Sequence, residues 1–194
     1  PRAGAAALMY FGGNAEDVGY SLPTLRRAFP DRALYLMHYR GYGGSGGRPT
    51  EAALTSDAQA LFDRVRGEHD RVLVVGRSLG SAIAVQLAAS REIEALVLVT
   101  PFDSLESLAR SQFPFLPVRW LLRDRYESTR HAESVQAPTR LIAAESDEIV
   151  PRRSTESLLE SFPPGIASLR VISGTGHNTI GMSPEYLPAL AMEP

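Results

Sequence analysis

Apolar residues in this chain fall into short continuous runs, separated by stretches in which they recur every three or four positions. The runs Ala5–Phe11, Arg32–Tyr39, Val72–Val75, Ile93–Thr100, Pro138–Ala144 and Ser168–Ile172 predict strands. The intervening stretches predict helices. Glu51–Arg66 sets Leu54, Ala58, Leu61, Phe62 and Val65 on one face. Val18–Phe29 gives a weaker helical pattern interrupted by Pro23, while Arg152–Phe162 and Pro184–Met192 supply two more helices. The segment after Gly80 is rich in Ala and Leu and reads as a helix that follows a strand almost without a loop. Strands and helices alternate, and continuously apolar strands are buried on both sides. The expected class is therefore α/β, with a mostly parallel sheet of about six strands and helices on both faces.

One segment breaks this rhythm. Residues 102–137 hold Pro114, Pro117 and the single tryptophan, Trp120, among short amphipathic pieces. They are expected to form a small helical cap inserted into one domain spanning 1–194. Phe113, Phe115, Leu116, Val118, Trp120, Leu121 and Leu122 would either line an acyl pocket from above or seal the cap onto the body.

Composition narrows the partners. A net charge of −2 gives no reason to expect nucleic acid or an acidic membrane. All 20 basic residues are arginine, which reads as a bias of the source genome. With no cysteine, disulfides, thiolate zinc sites and a cysteine nucleophile are excluded. No apolar run approaches the roughly 18 residues of a membrane span, and no secretory signal is visible, so the default compartment is cytoplasmic. The chain starts at Pro1 without a Met and enters a strand almost at once. That points to a processed or truncated chain, with any anchor or targeting signal lying upstream.

The candidate chemistry centres on Gly76-Arg77-Ser78-Leu79-Gly80, between a strand and a helix. In that context G-x-S-x-G forms a tight turn that lifts the serine hydroxyl clear of the sheet, and side chains at 76 or 80 would collide with neighbouring backbone. A serine hydroxyl needs a base to take its proton, and the base needs an orienting acid. In open parallel sheets such groups gather after the carboxyl ends of strands. Asp147 follows the strand ending at Ala144, and His177 follows the last strand. Ser78 as nucleophile, His177 as base and Asp147 as acid therefore form the expected triad. Glu145 and Glu148 could substitute for Asp147, and Asp103 is the runner-up acid unless it caps the next helix. His38, His69 and His131 all precede the acid in chain order and are read as ordinary hydrogen-bonding histidines.

An oxyanion needs preorganised N–H donors. Leu79 offers one at the helix N-terminus, and the Asn14 backbone in the loop Gly12-Gly13-Asn14-Ala15 offers the second. Gly41–Gly47 lacks the order and the lysine of a phosphate-binding loop and is read as a flexible pocket wall. Arg77 could meet an anionic substrate, but a residue inside such a turn more readily moves aside into packing or an ion pair.

These features resemble the α/β-hydrolase superfamily over nearly the whole chain. Tyr39–Gly47, Gly76–Gly80, Phe115–Leu122 and Asp147–Pro151 are similar to the small α/β-hydrolase-domain branch grouped with serine-aminopeptidase-like hydrolases, which includes protein depalmitoylases. The resemblance implies an α/β-hydrolase fold and a cofactor-free, metal-free serine hydrolase. Its substrate would be a small-molecule carboxylic ester or thioester, cleaved through an acyl-enzyme at Ser78, His177 and Asp147. Alternatives are a serine peptidase acting on short peptides or N-terminal residues and a non-catalytic binding protein on the same scaffold. Two departures stand out. The family usually has His-Gly-Asn where this chain has Gly12-Gly13-Asn14, and the two strands that usually precede the first one here are missing.

Overall fold

The computed structural model describes residues 6–112 and 122–192. Its six strands are β1 (Ala7–Phe11), β2 (Ala33–Met37), β3 (Val72–Arg77), β4 (Ala95–Val99), β5 (Thr139–Ala144) and β6 (Ala167–Ile172). They form one sheet in the order β2-β1-β3-β4-β5-β6, and every pairing is parallel. The order reverses direction after β2, so β1 and β3, whose following loops carry the candidate chemistry, sit side by side near the switch point.

Parallel strands need crossovers, and the helices supply them on both faces. Successive side chains of each strand point to opposite faces. Ala7, Met9 and Phe11 of β1 join Val72 and Val74 of β3 in one core, with Leu54, Phe62 and the helix after the elbow. Leu8, Tyr10, Leu73 and Val75 face the other way, toward Leu25, Tyr186 and Leu190. Each face therefore has its own apolar layer, which explains why the central strands show no polar alternation.

Among the described residues the α-helices are α1 (Leu22–Ala28), α2 (Glu51–Arg66), α3 (Leu79–Ser90), α4 (Leu105–Gln112), α5 (Ser128–Ala132), α6 (Arg152–Glu160) and α7 (Tyr186–Leu190). The pattern over Val18–Phe29 resolves into a 3-10 turn, Val18–Ser21, followed by α1. Pro23 sits in the first turn of α1, where its missing N–H breaks no helical bond. Thr50 caps α2 by accepting from the Ala53 amide at 3.3 Å. α3 is buried from Gly80 to Ala88, consistent with its all-round apolar sequence.

Within 102–137, the flanking parts are described. α4 follows β4, and Tyr126, Ala132 and Val135 enter the main core. Of the apolar residues assigned to a pocket wall or seam, Phe113, Phe115, Leu116, Val118, Trp120 and Leu121 lie outside the described residues. No helix among the described residues is long and apolar enough to cross a membrane.

At the amino ends of the strands, away from the candidate site, Arg32 donates to both oxygens of Glu94 at 2.6 and 2.9 Å and to the Ala7 carbonyl at 3.1 Å. This ties the leads into β2, β1 and β4 together.

Candidate active site

Ser78 stands between β3 and α3 with φ 50° and ψ −117°, a conformation that is strained for any residue with a side chain. The strain is held by close packing. A Cβ on Gly80 would lie 2.1 Å from the Phe11 carbonyl oxygen, and one on Gly76 would lie 2.4 Å from that of Gly80. Only glycine at these positions lets α3 seat against the ends of β1 and β3. The Ser78 amide is used in donating to the Val99 carbonyl at 2.9 Å, which fixes the turn to β4.

The hydroxyl so presented meets its expected partner. Ser78 Oγ lies 3.1 Å from His177 Nε2. The other ring nitrogen, Nδ1, lies 2.9 and 3.0 Å from the two oxygens of Asp147. His177 is buried, and Asp147 is fixed further by accepting from the amides of Ile149 and Val150 at 2.9 and 2.7 Å. Burial pushes the Asp147 carboxyl up, but the hydrogen bonds from His177 and from the Val150 and Ile149 amides, with the nearby imidazole, outweigh it and hold the carboxyl below its usual range. An ionised Asp147 keeps the proton on Nδ1 and leaves Nε2 as the acceptor facing Ser78.

The rival acids have other work. Glu148 accepts from the His177 amide at 3.1 Å, and Glu145 accepts from the Gly174 amide at 2.8 Å. Both brace the histidine loop. Asp103 accepts from the Ser104 amide at 2.7 Å and the Ser154 hydroxyl at 2.6 Å, while the cap of the next helix is Ser104, whose hydroxyl accepts from the Ser107 amide at 3.0 Å. Of the remaining histidines, His69 is buried with Nε2 2.8 Å from the Tyr35 hydroxyl, and His38 is exposed.

The loop after β1 also borders Ser78, since a Cβ on Gly13 would lie 3.6 Å from Ser78 Cβ. Among the described residues, neither the Asn14 nor the Leu79 amide donates to a protein acceptor. Both residues line the cavity onto which Ser78 opens. At Gly12 a Cβ would lie 2.6 Å from Val18 Cγ1, so any side chain there needs Val18 to move. Other groups hold the loop. The buried Tyr39 hydroxyl donates to the Gly12 carbonyl at 2.8 Å. Glu16 accepts from the Gly13 amide at 2.6 Å, and the Tyr42 hydroxyl donates to Asn14 Oδ1. Glu16 was not singled out by sequence reasoning; its place three residues after Gly13 is a turn-closing position, and that spacing is the signal it offers. Arg77 turns away from the cavity into an ion pair with Glu16 at 3.0 Å, as expected of a residue inside the elbow.

The cavity over Ser78 has a volume of about 530 Å³. Phe102, Leu105, Leu108 and Val150 supply apolar lining, and Tyr42, Asp124 and Tyr126 supply polar groups. Tyr42 and Pro49 belong to the glycine-rich loop and its exit, so that loop does form a wall.

The arrangement links a hydroxyl, an imidazole and a carboxylate in succession, and two amides that donate to no protein acceptor and several apolar side chains belong to residues lining the same cavity. A family model for the alpha/beta hydrolase family matches residues 4–136. An uncharacterized protein of Mycobacterium tuberculosis is 41% identical over 164 residues, covering 82% of this chain and 57% of that protein. Alpha/beta hydrolase domain-containing protein aho-3 of Caenorhabditis elegans is 30% identical over 189 residues, covering 94% of this chain and 55% of its own length. The chain thus spans little more than half the length of these relatives. Among solved structures, MGS-M2, an alpha/beta hydrolase enzyme from a deep-sea metagenome library, superposes with a TM-score of 0.78 at 16% identity. The match covers 97% of this chain and 88% of that one, a likeness of fold.

Proposed function

The chain belongs to the alpha/beta hydrolase family, and from that premise we propose that it is a serine hydrolase cleaving carboxylic esters or thioesters through an acyl-enzyme. The observation that carries this reading is the line Ser78–His177–Asp147, with separations of 3.1 Å and 2.9 Å. A substrate carbonyl enters the cavity, Ser78 Oγ attacks its carbon, and His177 Nε2 takes the hydroxyl proton. The Asn14 and Leu79 amides receive the negative charge that develops on the carbonyl oxygen. Collapse expels the alcohol or thiol, which takes the proton from His177, leaving Ser78 acylated. A water then attacks the acyl carbon, giving up its proton to His177, and the acid leaves as Ser78 Oγ takes that proton back. The apolar lining of the cavity suits the acyl group.

Ser78→Ala is expected to abolish turnover of short p-nitrophenyl esters and labelling by a fluorophosphonate probe while leaving the circular dichroism spectrum unchanged. Labelling that persists in Ser78→Ala removes Ser78 from the mechanism. If the wild-type chain takes no label yet is stabilised thermally by small acyl compounds, a non-catalytic binding protein is the better reading.

A second reading has one observation in its favour. Asp124 lines the same cavity, where a carboxylate could hold the free amine of a short peptide. Aminoacyl p-nitroanilides tested beside acyl esters separate the two, the peptidase reading requiring faster cleavage of the anilides and loss of that preference in Asp124→Asn.

A further inference from the structure

Arg77 is next to the nucleophile in sequence, yet it points away from the cavity. We infer that Arg77 is a positioning residue whose guanidinium clasps the loop after β1 to the histidine loop and so sets the spacing of these loops across Ser78. The inference rests on the hydrolase reading above.

The contacts run to both sides. Nη1 donates to Glu16 Oε2 at 3.0 Å, and the same oxygen accepts from the Gly13 amide, immediately before Asn14. Nη2 donates to the His177 carbonyl at 3.3 Å and to Asn178 Oδ1 at 3.0 Å. Glu16 is itself held in place, its other oxygen accepting from the Tyr10 and Ser21 hydroxyls at 2.7 and 2.8 Å. One planar group therefore carries a fixed frame to the amide before the proposed oxyanion donor and to the backbone of the proposed base. The fork geometry of arginine makes this possible, since lysine offers only a point charge. The pair is largely shielded, with side-chain exposures of 20% for Arg77 and 13% for Glu16. Alignment of this kind matters because a misplacement of about 1 Å can cost about 100-fold in rate.

Glu16, Arg77 and Asn178 also line a separate cavity of about 470 Å³ whose walls do not include Ser78. That opening would let a small cation reach the space left by a truncated Arg77, which makes chemical rescue practicable.

The test compares wild type, Arg77→Ala and Arg77→Lys on a short p-nitrophenyl ester, with folding followed by circular dichroism. Arg77→Ala is expected to lose about 10- to 100-fold in kcat with KM within about threefold of wild type. Guanidinium at sub-denaturing concentration should restore part of kcat in Arg77→Ala and none in wild type. A folded Arg77→Ala with kcat within about twofold of wild type overturns the proposal, as does a loss that guanidinium does not relieve. If Arg77→Ala does not fold, Arg77→Lys carries the test, and a wild-type kcat there overturns it. A wild-type chain that hydrolyses nothing is instead a failure of the hydrolase reading. The clasp is then read by the low-field proton resonance of His177 Nδ1, expected to broaden or shift in the Arg77 variants; an unchanged resonance overturns the proposal.

Discussion

At the scale of single residues, the carboxylate of Asp147 faces two hosts. It closes its own loop through the Ile149 and Val150 amides, and it also meets His177 Nδ1. The loop bonds make its orientation independent of the histidine, so the imidazole docks onto a carboxylate already in place. Asp147→Asn can keep the loop bonds through its amide oxygen but turns a donor toward His177, favouring the wrong tautomer. The expected loss in kcat is about 10⁴-fold, measured by steady-state kinetics. Ser78, Asp147 and His177 were legible in the sequence because each follows a strand and the motif around Ser78 is sterically demanding. Glu16 was not, because its partners come from β1, from the turn after it and from Arg77, far along the chain. A carboxylate in a polar loop has no periodicity to betray it.

At the scale of elements, α2 contributes more than an apolar face. The carboxylate of Glu51, in its first turn, accepts from the Arg125 and Tyr126 amides at 2.8 and 3.0 Å and from Gln86 Nε2 at 3.0 Å. The Glu51 amide in turn donates to Asp124 Oδ1 at 3.0 Å. The returning stretch around Asp124–Tyr126 is thus stitched to the helix N-terminus. Tyr126 sits there at φ 45°, a left-handed conformation that a bulky side chain holds only under constraint. Because Asp124 and Tyr126 line the cavity, Glu51→Ala should act on substrate binding as well as on stability. We expect about 2 kcal/mol of destabilisation in a urea titration. KM for bulky esters should rise more than kcat falls, a split that a purely global loss of stability would not give. The boundaries of α2 were legible to the residue because its apolar stripe is regular and Thr50 caps it. The break between Val18–Ser21 and α1 was less so, since proline is compatible both with interrupting a helix and with starting one.

At the scale of the whole molecule, the parallel sheet gives the protein two unlike rims. The carboxyl ends of β1, β3, β5 and β6 carry the loops with Asn14, Ser78, Asp147 and His177. Acid should act on both rims. Hydrogen bonds from Arg32 hold the Glu94 carboxyl below its usual range against the opposing effect of burial. Burial pushes Glu16 up, but the Gly13 amide, the Tyr10 and Ser21 hydroxyls and Arg77 outweigh it. Asp147 is lowered as well. A carboxyl with a depressed folded pKa adds stability that is complete above its unfolded value, near 4, and is lost as pH falls through the folded value. The melting temperature is therefore expected to be steady from about pH 7 to about pH 5 and to drop below about pH 4. Glu94→Gln should melt lower than wild type at neutral pH, with the gap closing in acid; a gap independent of pH would remove Glu94 from this account.

The Arg32–Glu94 fork also bears on how this chain could change. It touches nothing near Ser78, so a substitution there leaves turnover intact at moderate temperature and shows itself only on heating. Substitutions at Ser78 or His177, on the opposite rim, show themselves in turnover at any temperature. A population of variants screened for activity in the cold would let the amino rim drift unseen, and the first warm passage would purge it. Reactivity and endurance are thus exposed to selection under different conditions, at opposite ends of the same six strands.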